Sequence, residues 1–109
     1  MGIYKIKQKR LKEFFDIYED LLVKVDFYLN NKDKFEELGN EEKELMTFLI
    51  DKRDFFKNTL FMIGFWYEEI NNISNNTDKS DFKKSFEPFY NDEAKRSKSI
   101  SIELKKFNI

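Results

Sequence analysis

Apolar residues fall at helical spacing in two long stretches of this chain. In the first, positions 4, 8, 11, 15, 18, 22, 25 and 29 step by four and three, as a heptad seam does. They hold Tyr4, Gln8, Leu11, Phe15, Tyr18, Leu22, Val25 and Leu29, apolar throughout except at Gln8. Phe14, Leu21 and Tyr28 widen the stripe on one flank. Lys9, Lys12, Glu13, Asp16, Glu19, Asp20 and Lys24 form a solvated face opposite. The pattern predicts a helix over about residues 3–29. Tyr4 and Ile6 alternate with Lys5 and Lys7, so the first eight residues also suit a short strand.

The second stretch repeats the seam with Leu45, Leu49, Lys52, Phe56, Thr59, Ile63, Trp66, Ile70 and Ile73. Asn40 reads as its N-cap, and Glu41 and Glu42 suit the positive end of the helix dipole. One helix over about 41–74 is expected, with a short helical turn at Phe35–Leu38 before it. Two long helices joined by a short connection pack antiparallel. The second half of this helix, Thr59 to Tyr67, is apolar all round and needs a cover on more than one side.

Past Ile73 the signal changes. Residues 71–80 are Asn-rich and polar, a linker. Phe82 and Phe86 mark a short amphipathic helix that Pro88 is expected to stop, with a last turn or two capped by Asn91–Glu93. Ile100, Leu104 and Phe107 sit at helical spacing, while Ile100, Ile102 and Leu104 alternate as in a strand; the Ser-rich content leans toward the strand. The expected fold is mainly α. A long antiparallel hairpin, a short helix and a C-terminal helix or strand form a small bundle, one domain over residues 1–109.

Composition narrows the chemistry. The chain has no Cys, so it has neither disulfides nor thiol chemistry. It has no His, which removes the usual general base and the commonest metal ligand. Glycine-rich phosphate loops are absent, and so is the Glu-x-x-His pattern of di-iron bundles. Asn76, Asp78, Ser80 and Glu87 match four positions of a calcium loop, but Asp81 replaces its required Gly. These readings lead us to expect no enzyme, no metal and no cofactor. The longest apolar run is less than half of a membrane span of about 20 residues, and no secretory signal opens the chain. A cytoplasmic protein is expected. Lys, Asn, Ile, Phe and Tyr fill 55 of the 109 positions, which points to an A/T-rich genome.

Charge is segregated. The net charge is −1, yet Lys5, Lys7, Lys9, Arg10 and Lys12 stand in an acid-free start, and Lys105 and Lys106 lie near the other end. If the two ends meet, they form a basic patch for phosphate or an acidic protein. A solvated face explains the same residues without a ligand.

Two functions fit these features. The first is a non-enzymatic protein–protein interaction protein, a small inhibitor or adaptor that acts by occupying a surface. Its size and class resemble those of anti-CRISPR and immunity proteins, encoded by a phage or mobile element, although no motif carries that analogy. Phe61, Phe65, Trp66 and Tyr67 would supply the surface for a protein partner of unknown identity or for a homodimer through residues 59–67. The alternative is a nucleic-acid-binding accessory protein that uses the basic ends. Whether the tail from Phe82 to Phe107 or a second chain covers Phe61, Phe65 and Trp66 is the question put to the fold. Gly64 sharpens it, because a helix-interior Gly costs about 1 kcal/mol against Ala and suggests a close neighbour.

Overall fold

The structure, a computed structural model, describes residues 3–73 and 80–109, and five helices lie among them. Helix α1 runs Ile3–Asn30, α2 Lys32–Glu36, α3 Asn40–Asp51, α4 Arg53–Ile73 and α5 Ser80–Leu104. The hairpin and the small helical bundle are present. The bundle is elongated, 55 × 20 × 19 Å.

α1 is helical from Ile3 onward, so its opening alternation does not make a strand. Its buried stripe is Leu11, Phe14, Tyr18, Leu21, Val25 and Tyr28, with Leu22 half-buried and Leu29 exposed. The seam therefore lies toward the flank expected only to widen it. The reason is that α1 is covered from two sides. α4 packs on one side and α5 on the other, where Phe14 meets Tyr90 and Tyr28 meets Phe107 at ring separations of 5.7 Å each. Lys24, expected in solvent, is buried along its stem while its ammonium donates to Asp20 at 2.8 Å.

The expected second helix is two helices, α3 and α4, divided at Lys52. The hydrogen-bond ladder continues across the division, from Lys52 N–H to the Phe48 carbonyl and from Phe56 N–H to the Lys52 carbonyl. Lys52 is the charged residue in the seam, and the division falls where that side chain is exposed. At the N-terminus of α3, Gly39 takes the cap position in extended conformation and Asn40 is already helical, so the helix begins one residue earlier than expected. On α4 the predicted seam is the buried one: Phe56, Thr59, Ile63, Ile70 and Ile73 are buried and Trp66 half-buried. Thr59 satisfies its hydroxyl by donating to the Phe55 carbonyl at 2.9 Å.

α5 departs most from expectation. It is a single helix of 25 residues that passes through Pro88, and it neither stops there nor ends in a strand. Phe86, Tyr90, Glu93, Ser97, Leu104 and, just beyond the helix, Phe107 are buried, with Ile100 half-buried, again in steps of four and three. Pro88 lies on the outer face, so the carbonyl it leaves unbonded, that of Lys84, faces water. Burial of the aromatic stripe outweighs the lost bond. Ile102, the centre of the strand alternation, points outward. Of the expected linker, residues 71–73 finish α4, Ser80 opens α5, and 74–79 lie outside the described residues.

α5 runs parallel to α1, since Tyr4 meets Phe82 at one end and Phe107 meets Tyr28 at the other. α4 is antiparallel to both. Gln8 fixes its register by donating to the Tyr67 carbonyl at 2.9 Å and to Asn71 Oδ1 at 2.8 Å.

Candidate interaction surface

The two faces of α4 part company at its aromatic cluster. Trp66 turns inward against Phe82, Phe86 and Phe89 of α5, at ring separations of 5.5, 5.6 and 6.3 Å. Its indole N–H is buried and has no acceptor among the described residues. Tyr67 is half-buried beside α1. Phe61 faces away from α5 with 74% of its surface exposed, and Phe65, 44% exposed, stands at the edge, against Trp66 and beside a hollow lined by Asp81, Phe82 and Ser85 of α5. The tail thus covers one of the three aromatics that needed a cover and leaves two in water.

Those two rim a groove between α1 and α4. It is lined by Phe15, Lys57, Leu60, Phe61, Gly64, Phe65, Glu68 and Glu69, with a volume of about 600 Å³. A smaller hollow of about 270 Å³, lined by Leu11, Phe15, Ile63, Gly64 and Tyr67, shares its floor. Gly64 is that floor. A Cβ built there meets nothing within 4 Å, so no element among the described residues accounts for the missing side chain. The close neighbour expected from the sequence is not α5. Phe15 lines the groove with Phe61, and Gln8 meets Tyr67, so this part of α4 lies beside residues 8–15 of α1.

A second apolar hollow of about 280 Å³ lies where α3 meets α4. Leu45, Phe48, Leu49, Phe55 and Phe56 face Ile100 and Leu104 of α5 across it. Phe48 and Phe55 are both exposed, and the Arg96 guanidinium lies over the Phe55 ring at 5.0 Å. The sequence reading did not single out these residues. Their signal was there, in two Phe seven apart that flank the seam's one Lys.

The basic residues do not form one patch. Because α1 and α5 are parallel, Lys5 to Lys12 lie at one end of the 55 Å bundle and Lys105 and Lys106 at the other. Most are also paired. Lys7 bonds Glu87 at 2.5 Å, Arg10 reaches Glu13, Lys12 bonds Asp16 and Lys106 bonds Glu103. The carboxylates beside Lys12 and Lys106 raise both ammonium pKa values. Lys5, Lys9 and Lys105 are exposed, with no ion pair among the described residues. Glu87 is committed to Lys7 rather than to the calcium-like pattern, whose Asn76 and Asp78 lie outside the described residues.

One polar cluster lies inside the core. Tyr18, fully buried, donates to Glu93 Oε2 at 2.5 Å, and Arg96 bonds the other Glu93 oxygen. Burial pushes the Glu93 carboxyl above its usual range. Burial and the bond to Glu93 push the Tyr18 phenol far above its own. The hollow beside this cluster is lined by Arg96 and not by Glu93. The cluster locks α5 to α1 at mid-length. Among the described residues no group of three or more acidic side chains could hold a metal ion, and no helix is long and apolar enough to cross a membrane. No family model, curated protein or solved structure matches the chain.

Proposed function

We propose that the protein is a non-catalytic interaction module, a small inhibitor or adaptor, that acts in the cytoplasm by holding a protein partner against the outer face of α4. The observation that carries this reading is the pair Phe61 and Phe65, left in water beside a groove floored by Gly64. Burying one large apolar side chain is worth about 1.5–3 kcal/mol. A chain that leaves two of them exposed next to a gap in its own backbone cover gains that energy only from a partner. The abundance of residues encoded by A/T-rich codons supports an origin in a low-G+C genome, with a phage or mobile element as the kind of source.

Photo-crosslinking in the source cell tests the reading. A photoreactive residue at position 61 or 65 should yield a discrete adduct, and the same residue at Ile102 on α5 should not. Phe61→Asp should abolish competition for that adduct while leaving the helical circular dichroism unchanged. Equal labelling from all three positions would count against the α4 face.

Binding of nucleic acid by the joined basic ends has less support, because the ends are apart and largely paired. Mobility shifts of DNA and RNA across a salt series address it directly: a protein that uses several lysines loses affinity steeply with salt.

A further inference from the structure

The outer face of α4 carries a second seam. Lys57, Phe61, Gly64 and Glu68 follow one another in steps of four, three and four, on the side of the helix away from Phe56, Ile63 and Ile70. All four line the same groove, with Leu60 and Phe65 along its sides. The order of residue types along this seam is charge, ring, gap, opposite charge. Turned end for end, it presents its own complement. A second α4 laid antiparallel, with its two-fold axis midway between Met62 and Ile63, sets each Phe61 against the partner's Gly64. The same register sets each Lys57 against the partner's Glu68. Both pairs recur twice because an isologous interface repeats every contact.

We infer that the occupant of this groove is a second copy of the chain, docked α4 to α4 in antiparallel register. This rests on the α4 face being the interaction surface and names its partner. Three observations meet in one register. Gly64 has nothing within 4 Å of where its Cβ would stand, so a ring can approach the backbone there. Phe61 is the most exposed of the large apolar residues and lies one step along the seam. Lys57 and Glu68 form no ion pair among the described residues, whereas Lys12, Lys24 and Arg53, around the same helix pair, each hold an Asp. A hetero-partner would need a groove matched to this order of charges. A second copy supplies it without further design.

Sedimentation equilibrium of the full chain and its charge variants tests the register. The wild type should be a dimer. Lys57→Glu sets Glu against Glu68 twice, and Glu68→Lys sets Lys57 against Lys twice; each should weaken the dimer roughly tenfold. Carrying both changes in one chain should restore it. Mixing the two single variants should give a one-to-one heterodimer in preference to either homodimer, which only this register predicts. Phe61→Asp should yield a folded monomer. A wild type that remains monomeric at about 1 mM, or a dimer indifferent to both charge changes, overturns the proposal. If the chain is monomeric while a foreign protein still crosslinks at position 61, the second copy is excluded and the α4 surface stands. If neither association nor crosslinking depends on Phe61, both fall.

Discussion

Trp66 and Phe61 stand five residues apart on α4, both large, both aromatic, and they meet opposite fates. Trp66 lies on the seam that faces α5 and is enclosed by three phenylalanines. Phe61 lies on the seam that faces out and keeps most of its surface in water. Composition does not separate the two faces, since each offers rings at heptad spacing. What separates them is the number of neighbours. A three-stranded bundle gives α4 two helices to pack against, and they take up one side of it. An apolar helix inside such a bundle is overfurnished, and the surplus marks where another molecule belongs.

The largest expected effect breaks the inner face. Phe86, which no solvent reaches, stacks on Phe82 and packs at a tilt against Trp66 and Tyr90; Phe86→Ala should cost about 3–5 kcal/mol in denaturant unfolding. Phe61→Ala, the outer counterpart, should stay within about 0.5 kcal/mol when measured on the dissociated chain. Similar costs at both positions would erase the distinction between the faces.

Next comes the polar lock behind the inner face. Tyr18→Phe removes the donor to a carboxylate that is 2% exposed, and should cost about 1–3 kcal/mol. The pH dependence has a defined sign. The folded phenol keeps its proton above the ordinary value of 10.0, while the unfolded phenol loses it there. Stability should therefore fall as pH rises beyond 10, and Tyr18→Phe should flatten that fall. Glu93 also binds its proton more tightly when folded, so its contribution is complete below the ordinary value of 4.5 and declines as pH rises through the raised folded value. Glu93→Gln keeps an acceptor for Tyr18 without the buried charge. Its thermal midpoint should gain on the wild type between pH 4 and pH 7.

The smallest effect concerns the gap itself. Gly64→Ala places a methyl group in open space and removes a flexible residue from a helix interior. In the dissociated chain it should add about 0.5–1 kcal/mol of stability. A loss instead would mean that something in the chain already fills the notch.

The hairpin was legible because its seams are long and unbroken by Gly or Pro. The buried face of α4 matches the spacing almost position for position, and the two outward phenylalanines follow from the same arithmetic. The course of α5 was hidden in two respects, for different reasons. Pro88 masked α5, although Phe86, Tyr90, Glu93, Ser97, Ile100, Leu104 and Phe107 continue one seam across it. A periodicity seven positions long outweighs the local stop that a proline signals. The other hidden feature was the direction of α5. Spacing fixes which side of a helix is buried, but not which way the helix runs beside its neighbour. That direction placed the two basic segments at opposite poles and so removed the shared patch. The polar centre of α5 was obscured as well, because Glu93 and Ser97 look like a solvated turn until Tyr18 and Arg96 are seen to close around the carboxylate.

The parallel course of α1 and α5 also sets an order of assembly. Their contacts join residues 75 to 80 positions apart, such as Tyr18 with Glu93 and Lys7 with Glu87. Bridging so long a stretch is the slow part of building a small helical protein. On the ribosome, α1, α3 and α4 emerge first and can pair through Gln8 and Tyr67 before α5 exists. Until α5 arrives, Trp66, Phe56 and Tyr18 face water on the same side of that pair. The nascent hairpin is thus a two-sided apolar plate, and the last quarter of the chain acts as its built-in chaperone, sealing one side and leaving the Phe61 side open.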